Sequence, residues 1–277
     1  MRDWLQWAAA QLRAVGGHGA ESPFLDATLL IATVRGEAKE RTLAALPETL
    51  APAQARRLEA LVARRGAGEP LAYIRGFKEF YGRRFAVDDR VLIPRPETEL
   101  LIDLALSSLP DGPLQVLDLG TGSGALAITL ALERPYWAVA ASDISADALR
   151  VCDANAAALG ATLASCEQAD LLPAAGGPWR LIVANLPYVP SAEYRGLAAA
   201  GWPEPALALD GGPDGLDQIR RLLPGLRERL AADGLLLLEI SADQGATVAA
   251  ALVAAGLHDV EVHRDLAGRP RVAAGRV

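Results

Sequence analysis

Val116-Leu117-Asp118-Leu119-Gly120-Thr121-Gly122-Ser123-Gly124 decides the fold of this 277-residue chain. The apolar run up to Leu119 predicts a strand buried on both faces. Three glycines in five positions then let the backbone turn sharply and approach a ligand with no Cβ in the way. A helix follows from about Ala125, and its unpaired N–H groups face whatever sits at the turn. A nucleotide-like ligand fits that arrangement, and an ordinary tight turn is the bland alternative.

The loop reads G-x-G-x-G, so its third glycine falls one place early for a dinucleotide site. The next strand, Trp137 to Ser142, ends in Asp143, about where a carboxylate would accept from a ribose diol. Asp143 could instead cap the helix that begins near Ser145 and Asp147. D-x-G-x-G-x-G with an acidic strand end resembles the S-adenosylmethionine-dependent methyltransferases. That resemblance implies a cofactor site made of Asp118, Gly120, Thr121, Gly122, Ser123, Gly124, Asp143, Ile144, Asp170 and Leu171, with Asn185. The loop would wrap the methionine part, Asp143 the ribose, and Asp170 and Leu171 would stand beside the adenine. Leu171 departs from the aromatic often found there.

Outward from this centre, residues from 114 on alternate strand and helix, which predicts a doubly wound α/β domain. The later strands are Leu163 to Gln168, Trp179 to Ala184 and Gly234 to Ile240, then an antiparallel pair near Leu257 to His263 and Arg271 to Ala274. Residues 1–70 read as all-helical. Trp4, Leu5, Trp7, Ala8, Leu12 and Val15 recur at helical spacing until Gly16-Gly17. Ser22-Pro23 opens a second helix, Thr42 to Leu46 forms a short one closed by Pro47, and Pro52 opens a fourth. Arg56, Arg57, Arg64 and Arg65 are expected on the outer side of that last helix, as a solvated face or a docking surface for an acidic partner. Residues 71–97 form a linker. Aromatic alternation around Gly82 predicts a β-hairpin, and Ile93-Pro94-Arg95-Pro96-Glu97-Thr98-Glu99 a stiff elbow walling the site. Residues 98–277 are the catalytic domain.

Bulk properties limit the function classes. At 51% hydrophobic residues the chain can pack a core, but no apolar run is long enough to span a bilayer. Two cysteines and no signal-like N-terminus predict a cytoplasmic protein, its thiols buried small apolar groups, with a pair or a reactive thiol as the alternatives. The three histidines lack metal spacing, so no metal centre is expected. A net charge of −7 argues against an extended nucleic-acid footprint.

A second motif follows the strand Leu181 to Ala184: Asn185-Leu186-Pro187-Tyr188. Ligands of such sheets bind beyond the carboxyl ends of the strands, so this loop should face the Gly120 loop. An Asn side-chain oxygen and a neighbouring carbonyl can accept both protons of a planar amine, and a Tyr ring can cover its flat face. A proline-stiffened turn with a capping Asn is the plain alternative. The tetrapeptide resembles the [N/D]-P-P-Y of methyltransferases acting on planar amide or base nitrogen, with Leu186 where Pro is usual. Read alone, it also resembles the ribosomal-RNA adenine dimethyltransferases, which keeps an adenine-N6 methyltransferase acting on RNA or DNA as the alternative.

Further segments extend the likeness: Tyr73-Ile74-Arg75-Gly76, the elbow, Asp143-Ile144-Ser145, Glu204-Pro205, Ala208-Leu209-Asp210-Gly211-Gly212, Asp214-Gly215-Leu216 and Asp265-Leu266-Ala267-Gly268-Arg269-Pro270-Arg271. Together they resemble the HemK/PrmC family of protein-(glutamine-N5) methyltransferases. The resemblance implies a Rossmann-like class I S-adenosylmethionine-dependent domain, a five-helix N-terminal domain that docks the substrate, and S-adenosylhomocysteine as coproduct. The implied substrate is the Gln of the Gly-Gly-Gln loop in class I peptide-chain release factors. It also implies a catalytic loop of Asn185, Leu186, Pro187 and Tyr188. A monomer is expected.

Overall fold

The computed structural model describes residues 2–15, 22–45 and 48–277. The expected stops at Gly16-Gly17 and Leu46-Pro47 lie outside them. The described residues fall into two compact units, one within Met1–Phe77 together with Gly201–Pro203, the other Lys78–Ala200 with Glu204–Val277. No helix among the described residues is long and apolar enough to cross a membrane.

The first unit is helical: α1 (Arg2–Val15), α2 (Pro23–Arg35), α3 (Lys39–Ala44), α4 (Pro52–Gly66) and α5 (Leu71–Arg75). Pro23 sits in the first turn of α2, where Ser22 Oγ accepts from Leu25 N, and Gly36 ends that helix at φ +68°. Leu5, Leu12, Leu30, Ile31, Leu58 and Leu61 form the unit's core, with Trp4 and Trp7 half-buried at its edge. α3 starts earlier than expected, at Lys39. The expected outer arginine face is corrected at one place, Arg65, while Arg56, Arg57 and Arg64 are exposed. Arg65 follows Leu61 by four and Val62 by three, so it falls on the buried stripe, where its Nε donates to Asp26 at 2.8 Å. Arg64 pairs with Glu69. Both partners of the Arg65–Asp26 bridge are nearly solvent-free, at 6% and 11% side-chain exposure. Asp26→Ala strands a buried guanidinium, so a loss of about 3–5 kcal/mol is expected. Urea unfolding of the full chain checks it.

The second unit opens with the hairpin β1 (Phe77–Phe80) and β2 (Arg83–Ala86). Its two-residue turn, Tyr81-Gly82, holds positive φ at both positions (+48° and +72°), the twist that suits a tight hairpin. A 3₁₀ turn at Pro96–Thr98 leads into α6 (Glu99–Ser108). Then come β3 (Leu114–Leu119), α7 (Ala125–Glu133), β4 (Trp137–Asp143), α8 (Ala146–Leu159), β5 (Ser165–Gln168), β6 (Trp179–Ala184) and α9 (Ser191–Ala199). A 3₁₀ turn at Ala206–Ala208 precedes α10 (Asp217–Arg229), β7 (Leu230–Glu239), α11 (Gly245–Ala254), β8 (His258–Arg264) and β9 (Pro270–Arg276).

Seven strands form one sheet in the order β5-β4-β3-β6-β7-β9-β8, parallel from β5 to β7, with β9 antiparallel to β7 and β8. Alternate strand residues serve opposite faces. Val116, Val139, Leu181, Val183 and Leu237 pack one way, with α6, α7, α8 and the hairpin's Phe80 and Phe85. Leu117, Leu119, Ile182, Leu236 and Leu238 pack the other way, with α10 and α11. Both faces are covered, which is why these strands read as continuous apolar runs. Helices α9 and α11 escape sequence detection. α9 buries no residue, and α11 is apolar nearly all round, so neither carries an amphipathic stripe.

Candidate active site

The sheet's chain order reverses between β3 and β6, which lie side by side with Leu119 opposite Ala184. At this switch point the two strand ends release the Gly120 loop and the Asn185 loop into one cleft. Gly120, Thr121, Gly122 and Ser123 line it, facing Asn185, Leu186 and Pro187. The elbow contributes Pro94 and Thr98 to its wall, and the residues just before it Val91 and Leu92. Asp143, Ile144, Asp170 and Leu171 complete the far end.

Backbone strain shapes the glycine loop. Gly120, Gly122 and Gly124 hold φ of +67°, +54° and +82°. A Cβ on Gly122 would meet nothing within 4 Å, so that position opens on the cleft. A Cβ on Gly120 would press on Leu186 Cδ2 at 3.3 Å. Gly124 is different: it caps α7, and a Cβ there would collide with Ile128 and with Cys152 Sγ. It packs the helix against α8 and does not line the cleft.

Asp118 is turned inward as well. It is fully buried, and its Oδ2 accepts from Thr121 Oγ1 (2.7 Å) and Ala127 N (3.1 Å). Burial pushes its pKa up to about 7, against the pull of those two donors. It ties the loop to the first turn of α7. Asp143 ties the same loop from β4: Oδ2 accepts from Gly122 N and Oδ1 from Ser145 N, both at 2.9 Å. Burial raises its pKa, and the Ser145 and Gly122 N–H groups oppose the rise. The cap of α8 is Ser145, whose Oγ accepts from Ala148 N at 3.2 Å, so Asp143 braces the loop at the cleft and does not cap the helix. At the rim Asp170 pairs with Arg221 at 2.6 Å, and Leu171 holds φ +66°.

In the second loop, Asn185 Nδ2 donates to Thr98 Oγ1 at 3.2 Å. That leaves Asn185 Oδ1 without a competing donor from the elbow. Leu186 is buried among Leu117, Leu119 and Ile182. Tyr188 lies behind the cleft lining, with its hydroxyl donating to Glu239 Oε1 at 3.2 Å. Burial, then the Glu239 carboxylate, pushes the Tyr188 pKa up. Glu239, at the end of β7, is 2% exposed. Sequence reasoning missed it, although a lone acid closing the apolar run Leu235–Leu238 was a usable signal: a charge so placed is paired or functional. Arg95 of the elbow pairs with buried Glu204, which also accepts from Ile93 N at 2.9 Å. These bonds hold the elbow to the segment after Pro203.

Comparison with known proteins adds the family. Residues 3–76 match the PrmC N-terminal domain and residues 98–199 the methyltransferase small domain. The chain is 44% identical to the release factor glutamine methyltransferase of Moorella thermoacetica, with 94% of this chain and 93% of that one covered. It is 38% identical to the Escherichia coli enzyme of the same name, over 99% and 97% of the two chains. The chain belongs to the release factor glutamine methyltransferase family.

As a member of that family it is an S-adenosylmethionine-dependent methyltransferase. A Pyrococcus furiosus methyltransferase superimposes with TM-score 0.54 at 15% identity, covering 79% of this chain and 96% of that one. The N-terminal domain of human METTL16 in complex with SAH gives 0.51 at 14%, covering 81% and 82%. Both share the fold. The residues of this methyltransferase fit its cofactor. Gly122 leaves open space at the cleft floor, and Asp143 is fixed by two N–H donors with lone pairs to spare for hydroxyls.

Proposed function

We propose that this methyltransferase modifies the side-chain amide nitrogen, N5, of the Gln in the Gly-Gly-Gln loop of class I peptide-chain release factors. The names of its relatives support that substrate. The observation that carries it is the Asn185 loop: a neutral acceptor pair, Asn185 Oδ1 and the Leu186 carbonyl, beside the cofactor cleft, with Asn185 Nδ2 occupied by Thr98.

When bound, S-adenosylmethionine supplies a methyl carbon made electrophilic by the adjacent sulfonium. Gly120, Thr121, Gly122 and Ser123 cradle it, Asp143 grips the ribose, and Ile144, Asp170 and Leu171 bound the adenine. Asp118 and Gly124 support that cradle from behind. Asn185 Oδ1 and the Leu186 carbonyl accept the two N–H bonds of the substrate amide, Pro187 bounds its plane, and Tyr188, expected on that plane, braces the loop from behind through Glu239 instead. An amide nitrogen is a poor nucleophile because its lone pair is delocalised, and two fixed acceptors orient what remains of it. Such orientation is worth about 7–11 kcal/mol at best. No general base is required of Asn185, since the proton leaves to water after transfer.

In this reading residues 1–70 dock the release factor, 71–97 link, and 98–277 catalyse, in a cytoplasmic monomer without extended nucleic-acid contacts. Purified release factor incubated with the enzyme and S-adenosylmethionine should gain the mass of one CH2 group on that Gln by peptide mass spectrometry. An unmodified release factor, with cofactor binding intact, would overturn the substrate and turn attention to adenine in RNA or DNA.

A further inference from the structure

We propose that the guanidinium of Arg221 supplies the flat wall for the adenine of S-adenosylmethionine that Leu171 does not. The inference rests on the adenine lying at the Asp170 end of the cleft. Asp170 and Leu171, after β5, line that end together with Gln218 and Arg221 of α10. Leu171 is a poor plate. It has no ring, it holds φ +66°, and its side chain packs against the core cluster that contains Ile219, Leu222 and Leu226. Those three make the buried face of α10. Gln218 and Arg221, three residues apart, share another side of the helix and reach the cleft.

Arg221 is held at both tips of its fork. Nη1 donates to Gln218 Oε1 at 2.8 Å, and Nη2 donates to Asp170 Oδ2 at 2.6 Å. A guanidinium is rigid and planar, so bonds at two of its nitrogens fix its plane as well as its place. Bonds made in that plane leave the face of the group for stacking. Both members of the Arg221–Asp170 pair are half-exposed, so as a bare ion pair the contact contributes little to stability. What the two bonds do is hold a plate still in the cleft wall. The chemistry of the cofactor narrows what that plate can meet. S-adenosylmethionine has no phosphate for an arginine to clamp. Its sulfonium repels a cation, and its carboxylate belongs to the methionine part, which the glycine loop wraps. The adenine is flat and uncharged, and an arginine stacks well on such a ring.

Calorimetry with S-adenosylhomocysteine on the full chain reads the contact without turnover. Arg221→Ala should raise its Kd by about 3- to 10-fold, the range of a half-exposed cation–π contact. Arg221→Lys keeps the charge but not the plane, and should stay near the alanine value. S-inosylhomocysteine, which keeps the purine ring system but lacks the amino group, separates the face of the ring from its edge. Arg221→Ala should weaken both ligands by the same factor. A loss confined to S-adenosylhomocysteine would assign the effect to Asp170 and the amino group, and would overturn the plate. An Arg221→Lys protein that binds as tightly as wild type would overturn it too, leaving Arg221 a counter-charge. Ile144, exposed at the same end of the cleft, checks the premise. Ile144→Ala should also raise the Kd. If neither Ile144→Ala nor Arg221→Ala changes it, the adenine lies elsewhere and the reading of that end falls together with this proposal. If Ile144→Ala weakens binding and Arg221→Ala does not, this proposal alone falls.

Discussion

Asn185→Ala is expected to lower kcat by about 10²- to 10³-fold, the scale seen when one preorganised polar group is removed from a reacting centre, while the Kd for S-adenosylmethionine changes little. The asymmetry follows from where the side chain sits. Asn185 follows β6 directly beside the cleft, anchored through Nδ2 to Thr98 at 3.2 Å, whereas Gly122 lies in the loop after β3, Asp143 ends β4 and Ile144 follows it. Alanine removes an acceptor for the substrate amide and leaves those loops as they are. It also frees the buried Thr98 hydroxyl, so a modest stability loss of about 1 kcal/mol should accompany it. Single-turnover kinetics with release factor, alongside calorimetry with the cofactor, separate the two effects. A variant with near-normal turnover would remove Asn185 from the chemistry. One that loses cofactor affinity in proportion to rate would make it a cofactor residue only.

Leu186 tests how much of this loop depends on a proline. The carbonyl that would accept from the substrate is retained, but a leucine does not fix φ. In this fold, packing supplies the restraint: Leu186 is 6% exposed, seated among Leu117, Leu119 and Ile182, with its Cδ2 close over Gly120. The side chain that loosens the loop locally is held by the sheet's core. The same contact couples the two loops, because any Cβ at position 120 would push on Leu186.

What the sequence disclosed, and what it hid, follows from the range of the interactions. The glycine loop, the Asn185 turn, the elbow and the hairpin announce themselves through local chemistry: glycine where φ is positive, proline where helix is forbidden, alternation where a strand is half-buried. Asp118 and Gly124 were legible as a motif but not as to what they face. Only the packing of α7 against β3 and α8 turns Asp118 to Thr121 and Ala127, and Gly124 to Ile128 and Cys152. Arg65 was misplaced because its partner, Asp26, is 39 residues away. Glu239 was passed over for the same reason: its meaning lies in Tyr188, 51 residues away, brought to it by strand order.

Strand order also explains the second large effect, expected at Gly215. Residues 209–215 run against the Asn185 loop. Val189 N donates to Leu209 O, Gly211 N returns a bond to Val189 O, and Ser191 N donates to Gly212 O. Gln244 Nε2 ties Tyr188 O to the carbonyl of Gly215. Gly215 holds φ +77°, and a Cβ there would stand 2.1 Å from Tyr188 O and 2.7 Å from Gln244 Nε2. Neither the backbone carbonyl nor the buried amide can yield without moving the loop that carries Asn185 and Tyr188. Gly215→Ala therefore combines a left-handed penalty of about 1–2 kcal/mol with overpacking of about 1–3 kcal/mol. It should lower kcat by about 10²-fold even where the protein folds, since displacements of an ångström in a reacting centre cost that much. Gly268→Ala is the matching control. It has the same backbone region, φ +76°, but nothing within 4 Å of the added carbon, so it should lose only the conformational share of stability and keep its rate. Equal losses of rate in the two variants would mean that the Asp210–Gly215 segment does not brace the catalytic loop. A Gly215→Ala enzyme that is destabilised yet fully active at low temperature would show that the loop tolerates the displacement, and that Tyr188 need not be held where Glu239 and Gln244 hold it.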